Sequence, residues 1–104
     1  ITLTQEDYAE FDIQRGDTEG IVNYLLKIKN VKMAAFVMEQ PKIVKISLRS
    51  KGDFSVQEIA RKHFKGGGHQ NASGGFSFQP LETTLRRFKS ILPQYKTKLE
   101  AAII

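Results

Sequence analysis

The sequence predicts an α/β domain, a small mixed β-sheet packed with helices. Two apolar runs, residues 31–38 and 43–49, flank a short turn that contains proline. Three other segments carry apolar residues at helical spacing. The chain has 104 residues, 40% hydrophobic and 26% charged, which suits a single globular core. Residues 1–104 are therefore read as one domain.

Residues 1–3 suit a short strand. Asp17, Thr18, Glu19 and Gly20 then supply helix-start chemistry, a cap followed by an acid in the first turn. Ile21, Leu25 and Ile28 follow at helical spacing, with Val22 and Leu26 beside them. In the run to Met38, Met33, Ala35 and Val37 share one face and Ala34, Phe36 and Met38 the other. Both faces are apolar, as in a central strand covered on both sides. Gln40, Pro41 and Lys42 form the turn. Beyond it Val44, Ile46 and Leu48 alternate with Ile43, Lys45, Ser47 and Arg49, so the two runs make an antiparallel hairpin.

Residues 50–53 read as a loop. Ser55 and Glu58 have capping-box spacing, and Val56, Ile59 and Ala60 give the buried stripe of a helix. That helix stops before Gly66, Gly67 and Gly68, and residues 75–78 read as a strand. Leu81, Leu85, Phe88, Leu92, Tyr95, Leu99 and Ala102 mark one helical face. Pro93 either kinks this helix or opens a second one.

Composition narrows the function. The absence of cysteine excludes disulfides, thiolate chemistry and cysteine zinc sites, and fits a cytoplasmic protein. No run is long enough for a membrane helix, and no membrane partner is expected. The opening Ile-Thr-Leu-Thr is neither a signal peptide nor a normal initiator, as expected of an internal piece of a longer chain. The net charge of +5 and a pI near 9.6 point to a polyanionic partner, a nucleotide or RNA. A solvated surface with surplus lysines gives the same charge.

Three consecutive glycines can turn free amides toward an anion, and they can also be a flexible helix stop. The loop is neither a Walker loop nor a dinucleotide fingerprint, because no Gly-Lys-Ser or Gly-Lys-Thr follows at the required spacing and it trails a helix. His69, directly after the glycines, can donate to phosphate or move a proton. Arg49 ends a strand where a loop begins, and a guanidinium grips phosphate through two hydrogen bonds. Lys51 adds charge nearby. His63, near a helix C-terminus, reads as structural. Asp7, Asp12, Asp17 and Asp53 are scattered, with no Asp-x-Asp or Asp-His-His to gather metals. Taken alone, the chain reads as a binder rather than a catalyst.

The run Gly66-Gly67-Gly68-His69, two residues, then Ala72-Ser73-Gly74 resembles the signature of the DHH-associated C-terminal domain, subtype one. Residues 45–52 resemble that family's strand-and-arginine motif. Val56, Ile59, Ala60 and Phe64 resemble its next helix, and Asp17, Glu19, Gly20, Val22 and Asn23 an earlier motif. The arrangement is most similar to the small-oligoribonuclease branch, the nanoRNases or bifunctional oligoribonucleases and 3′-phosphoadenosine 5′-phosphate phosphatases.

The resemblance implies an N-terminal DHH domain in the same protein that holds manganese ions. It implies that this domain closes over a cleft and binds nucleotide phosphates or short single-stranded RNA. The family's substrate-binding residues fall on Arg49, with Ser50 and Lys51 beside it, on Gly66, Gly67, Gly68 and His69, and on Ala72 and Ser73. No metal ligand and no catalytic residue is expected in this chain, though His69 can assist. The family often has a fourth glycine where Lys65 stands here, a residue able to add a phosphate contact. Competing readings are the same domain in a RecJ-type exonuclease or a cyclic dinucleotide phosphodiesterase, an RNA-binding module like the C-terminal domain of alanyl-tRNA synthetase, and a dimerising domain.

Overall fold

The computed structural model describes residues 2–3 and 32–101. The helix expected over residues 21–28, the motif at residues 17–23 and Ala102 lie outside the described residues. Strand β1 (Thr2–Leu3) runs parallel to β2 (Met33–Glu39). β2 pairs antiparallel with β3 (Val44–Ser50) across the expected turn, which Gln40 closes by donating its amide to the Ile43 carbonyl at 2.9 Å. β2 is buried on both faces, Phe36 at 0% and Val37 at 3% exposed, as its doubly apolar sequence requires.

Helix α1 (Val56–His63) follows, and then the order departs from expectation. The glycines do not form an open loop. Gly67–His69 is a strand, β4, that turns through Gln70 and Asn71 into β5 (Ala72–Ser77). Glycine is depleted in strands, so local sequence hides this hairpin. The sheet order is β1-β2-β3-β5-β4, with β4 at the edge. Because β1 is parallel and the other pairs are antiparallel, the sheet is mixed.

The last segment resolves the alternatives left by Pro93. Helix α2 (Leu81–Ile91) passes into a 3-10 turn (Leu92–Tyr95) and then into α3 (Lys96–Ala101). Its stripe packs on the sheet. Phe88, Ile91 and Tyr95 join Val37, Val44, Ile46, Leu48, Val56, Ile59 and Phe64 in one core, with Leu81, Leu85, Leu92 and Leu99 packed against it. The described residues of this stripe thus pack within the domain. Lys32 reaches across and donates to the carbonyls of Leu99 and Glu100 at 3.0 and 2.9 Å, a cation at a helix C-terminus.

The expected capping box does not form. Ser55 is the N-cap residue but makes no side-chain cap bond. The Val56 amide instead donates to the Gln70 carbonyl at 2.9 Å. Glu58 is engaged by Lys62 at 3.1 Å and Lys98 at 3.4 Å, and the Lys62 hydrogen bond foremost holds its carboxyl below the usual range. Among the described residues no helix is long and apolar enough to cross a membrane.

Candidate functional site

Register decides which candidates meet. Arg49 on β3 pairs with Ala72 on β5, and Ala72 pairs with His69 on β4. Directly paired residues of antiparallel strands point to the same face. Arg49, Ala72 and His69 therefore form one row, with Cα atoms of the outer two about 10 Å apart by strand spacing. The neighbouring row on this face is Ser47, Gly74 and Gly67. Arginine and histidine thus flank a floor of alanine and glycine, with Ser47 the larger side chain of the neighbouring row. This is the face away from the core helices, since Ile46 and Leu48 point the other way into the core. His69 is exposed and Arg49 half-buried, with the Arg49 Nη1 donating to the Leu48 carbonyl at 2.9 Å.

The glycines have different reasons. At Gly68 the backbone has φ of 140°, and a Cβ there would approach the Ala72 carbonyl to 2.7 Å. A Cβ at Gly66 would run into the Gly74 carbonyl, and one at Gly75 would come within 2.6 Å of the Phe64 Cβ. These positions let the end of α1 lie against β5, where the Phe76 amide donates to the Phe64 carbonyl at 2.9 Å. Gly67 differs, because a Cβ there would meet nothing within 4 Å. The fold does not demand glycine at 67, and its open side lies on the face with Arg49 and His69. Lys65, in the family's fourth glycine position, has a left-handed φ of 52°.

Ser50 and Ser73 are not brought to this face. They are 5% and 4% exposed, and strand alternation turns both toward the helices. Ser50 donates its hydroxyl to the Phe54 carbonyl at 2.6 Å, and Ser73 to the His69 carbonyl at 2.6 Å. Both hydroxyls hold loops, and both side chains lie on the face opposite Arg49 and His69. Lys51 lies just beyond β3 at the same end of the sheet, its amide donating to the Lys32 carbonyl at 3.0 Å. Gly66 lies at the close contact with β5, away from the open floor.

Asn71 was missed by sequence reasoning. Its Nδ2 donates to the Ser50 hydroxyl at 3.0 Å and to the Gly52 carbonyl at 3.1 Å. The Ser50 amide donates to the Asn71 carbonyl at 3.0 Å. Gln57 on α1 donates to the Gly68 carbonyl at 2.8 Å. These bonds lock the β4–β5 turn to the loop after β3 and fix His69 relative to Arg49. An asparagine three residues after a glycine run was the available signal.

His63 is structural, as expected. Its Nε2 shares a 3.1 Å hydrogen bond with the Tyr95 hydroxyl. Burial foremost, helped by Arg87 and Lys62, pushes its imidazole below the ordinary value. Burial also raises the Tyr95 phenol. Among the described residues no cluster of three or more His, Cys, Asp or Glu could hold a metal ion. The described residues therefore do not fit the manganese that the family resemblance implies for a separate domain.

The described residues thus form a mixed sheet with a glycine-floored face between an arginine and a histidine. Residues 3–95 match the DHHA1 domain, and the chain belongs to that family. It is similar to a probable bifunctional oligoribonuclease and PAP phosphatase NrnA of Streptococcus mutans, 35% identical over 83 residues, which are 79% of this chain and 26% of that protein. It is also similar to the crystal structure of an exopolyphosphatase-related protein from Bacteroides fragilis. That match has a TM-score of 0.90 and 44% identity, covering 96% of this chain and 29% of the other. The chain thus spans between a quarter and a third of these relatives.

Proposed function

We propose that this chain is the substrate-gripping domain of a DHH phosphoesterase that hydrolyses short RNA oligonucleotides, with 3′-phosphoadenosine 5′-phosphate as a second substrate. The observation that carries the reading is the Arg49–Ala72–His69 row beside open Gly67. Arg49 brings its guanidinium charge to one phosphate while its Nη1 also holds the Leu48 carbonyl, and His69 donates to another oxygen from the opposite side. An edge strand leaves outward N–H groups to solvent, and those of β4 add to the grip. None of these groups reads a base, which suits a substrate recognised by its backbone.

In this reading an N-terminal DHH domain of the same protein faces the row across a cleft. Manganese held by that domain would supply charge neutralisation and water activation. This chain's residues hold and orient the phosphate, a large share of catalytic power in itself. The test is affinity. Arg49→Ala and His69→Ala should each weaken binding of adenosine 3′,5′-bisphosphate by about tenfold or more, the worth of a charge-assisted hydrogen bond. Binding equal to wild type in both variants would sink the reading.

A further inference from the structure

The same face continues beyond the phosphate row. Along β5, Ala72, Gly74 and Phe76 share it by strand alternation, and Lys45 on β3 pairs with Phe76. Phe78 follows just past β5. It is 69% exposed, the exposed large hydrophobic residue among those described. The Phe76 and Phe78 rings lie 5.3 Å apart at 70°. The Lys65 Nζ sits 5.9 Å from the Phe78 ring centroid. No residue that β3, β4 and β5 place on this face is acidic.

Resting on the phosphate-gripping reading, we propose that Phe76 and Phe78, flanked by Lys45 and Lys65, form a stacking platform for bases of a single-stranded oligonucleotide anchored at Arg49 and His69. From Ala72 to Phe76 the strand advances about 13 Å, farther than one nucleotide reaches. The glycine floor between has no tall side chain to interrupt the strand's path. An aromatic surface bordered by cations is the sequence-tolerant way to hold single strands, because every base has a π-face. A protein partner would favour an apolar patch continuing past Phe78. Toward Gly74 the surface passes instead to glycine, serine and lysine, and on its other side Phe78 borders a mixed hollow lined by Glu39, Gln40, Lys42, Ile43, Gln79 and Leu81. The platform makes this domain a length sensor, in which longer substrates gain an aromatic contact that a mononucleotide cannot make.

The test compares adenosine 3′,5′-bisphosphate, a three-nucleotide RNA and its abasic counterpart on the chain and its Phe78→Ala and Arg49→Ala variants. The proposal expects Phe78→Ala to weaken the trinucleotide by about tenfold, one stacked base's worth. The bisphosphate and abasic affinities should stay unchanged. Arg49→Ala should weaken all three. If Phe78→Ala leaves the trinucleotide unchanged while Arg49→Ala weakens it, the platform is overturned and the phosphate site stands. That is also the result if Phe78 serves as a protein contact. If neither variant changes any affinity, the phosphate reading fails and takes the platform with it.

Discussion

Gly67 stands apart among glycines that look alike in the sequence. Gly66, Gly68 and Gly75 are required by close backbone approach or by φ, whereas Gly67 has open space where a side chain would go. Gly67→Val should leave stability unchanged or raise it by up to about 1 kcal/mol, since glycine weakens strands. The new side chain should fill the floor and abolish binding of adenosine 3′,5′-bisphosphate. Thermal unfolding and titration of the same variant check both halves, and unchanged affinity would show that the ligand does not approach there. The glycine-histidine motif made this region conspicuous in the sequence. Its division of labour was not legible, because it depends on what β5 and Phe64 place against each glycine. Ser50 and Ser73 illustrate the same limit. Adjacent to Arg49 and Ala72 in sequence, they sit on the opposite face because strands alternate.

At the scale of elements, the β4–β5 hairpin is what the local pattern concealed. Turn and breaker residues dominated a segment whose pairing is decided by β3. The β2–β3 hairpin was legible, since apolar alternation and a proline turn are local signals. The failed cap on α1 has a tertiary cause, as the Gln70 carbonyl meets the Val56 amide and two lysines hold Glu58. The clamp around Asn71 joins these elements. Asn71→Ala removes donors to Ser50 and Gly52, and should cost about 1–3 kcal/mol in denaturant unfolding. It should also weaken phosphate binding, by loosening His69 relative to Arg49. Stability unchanged from wild type would mean that the turn holds without its side chain.

For the whole molecule, the packing of α2 and the 3-10 turn against α1 makes stability depend on pH through His63. Burial, Arg87 and Lys62 lower its folded-state pKa below the ordinary 6.5, against the opposing charge of Glu58. The unfolded chain therefore binds the proton first. Neutral His63 contributes its full stabilisation above about pH 6.5, and that contribution is lost as pH falls through the folded-state value. Between about pH 7 and pH 5, the melting temperature of the wild type should fall more steeply than that of His63→Gln. Parallel curves would assign the acid sensitivity elsewhere. Glu58 acts in a lower window, as its own pKa is lowered from 4.5.

Among the described residues the helices pack on one face of the sheet, and the proposal gives the β3–β5–β4 end of the other face to a ligand. That claim is tested most directly by following backbone amides of the isotope-labelled chain while adenosine 3′,5′-bisphosphate is added without metal. The account predicts shifts concentrated at Arg49, at Gly67 to His69 and at Ala72, with α2 silent. Shifts confined to the basic helix around Arg86, Arg87 and Lys89, with the glycine-floored row unmoved, would contradict it.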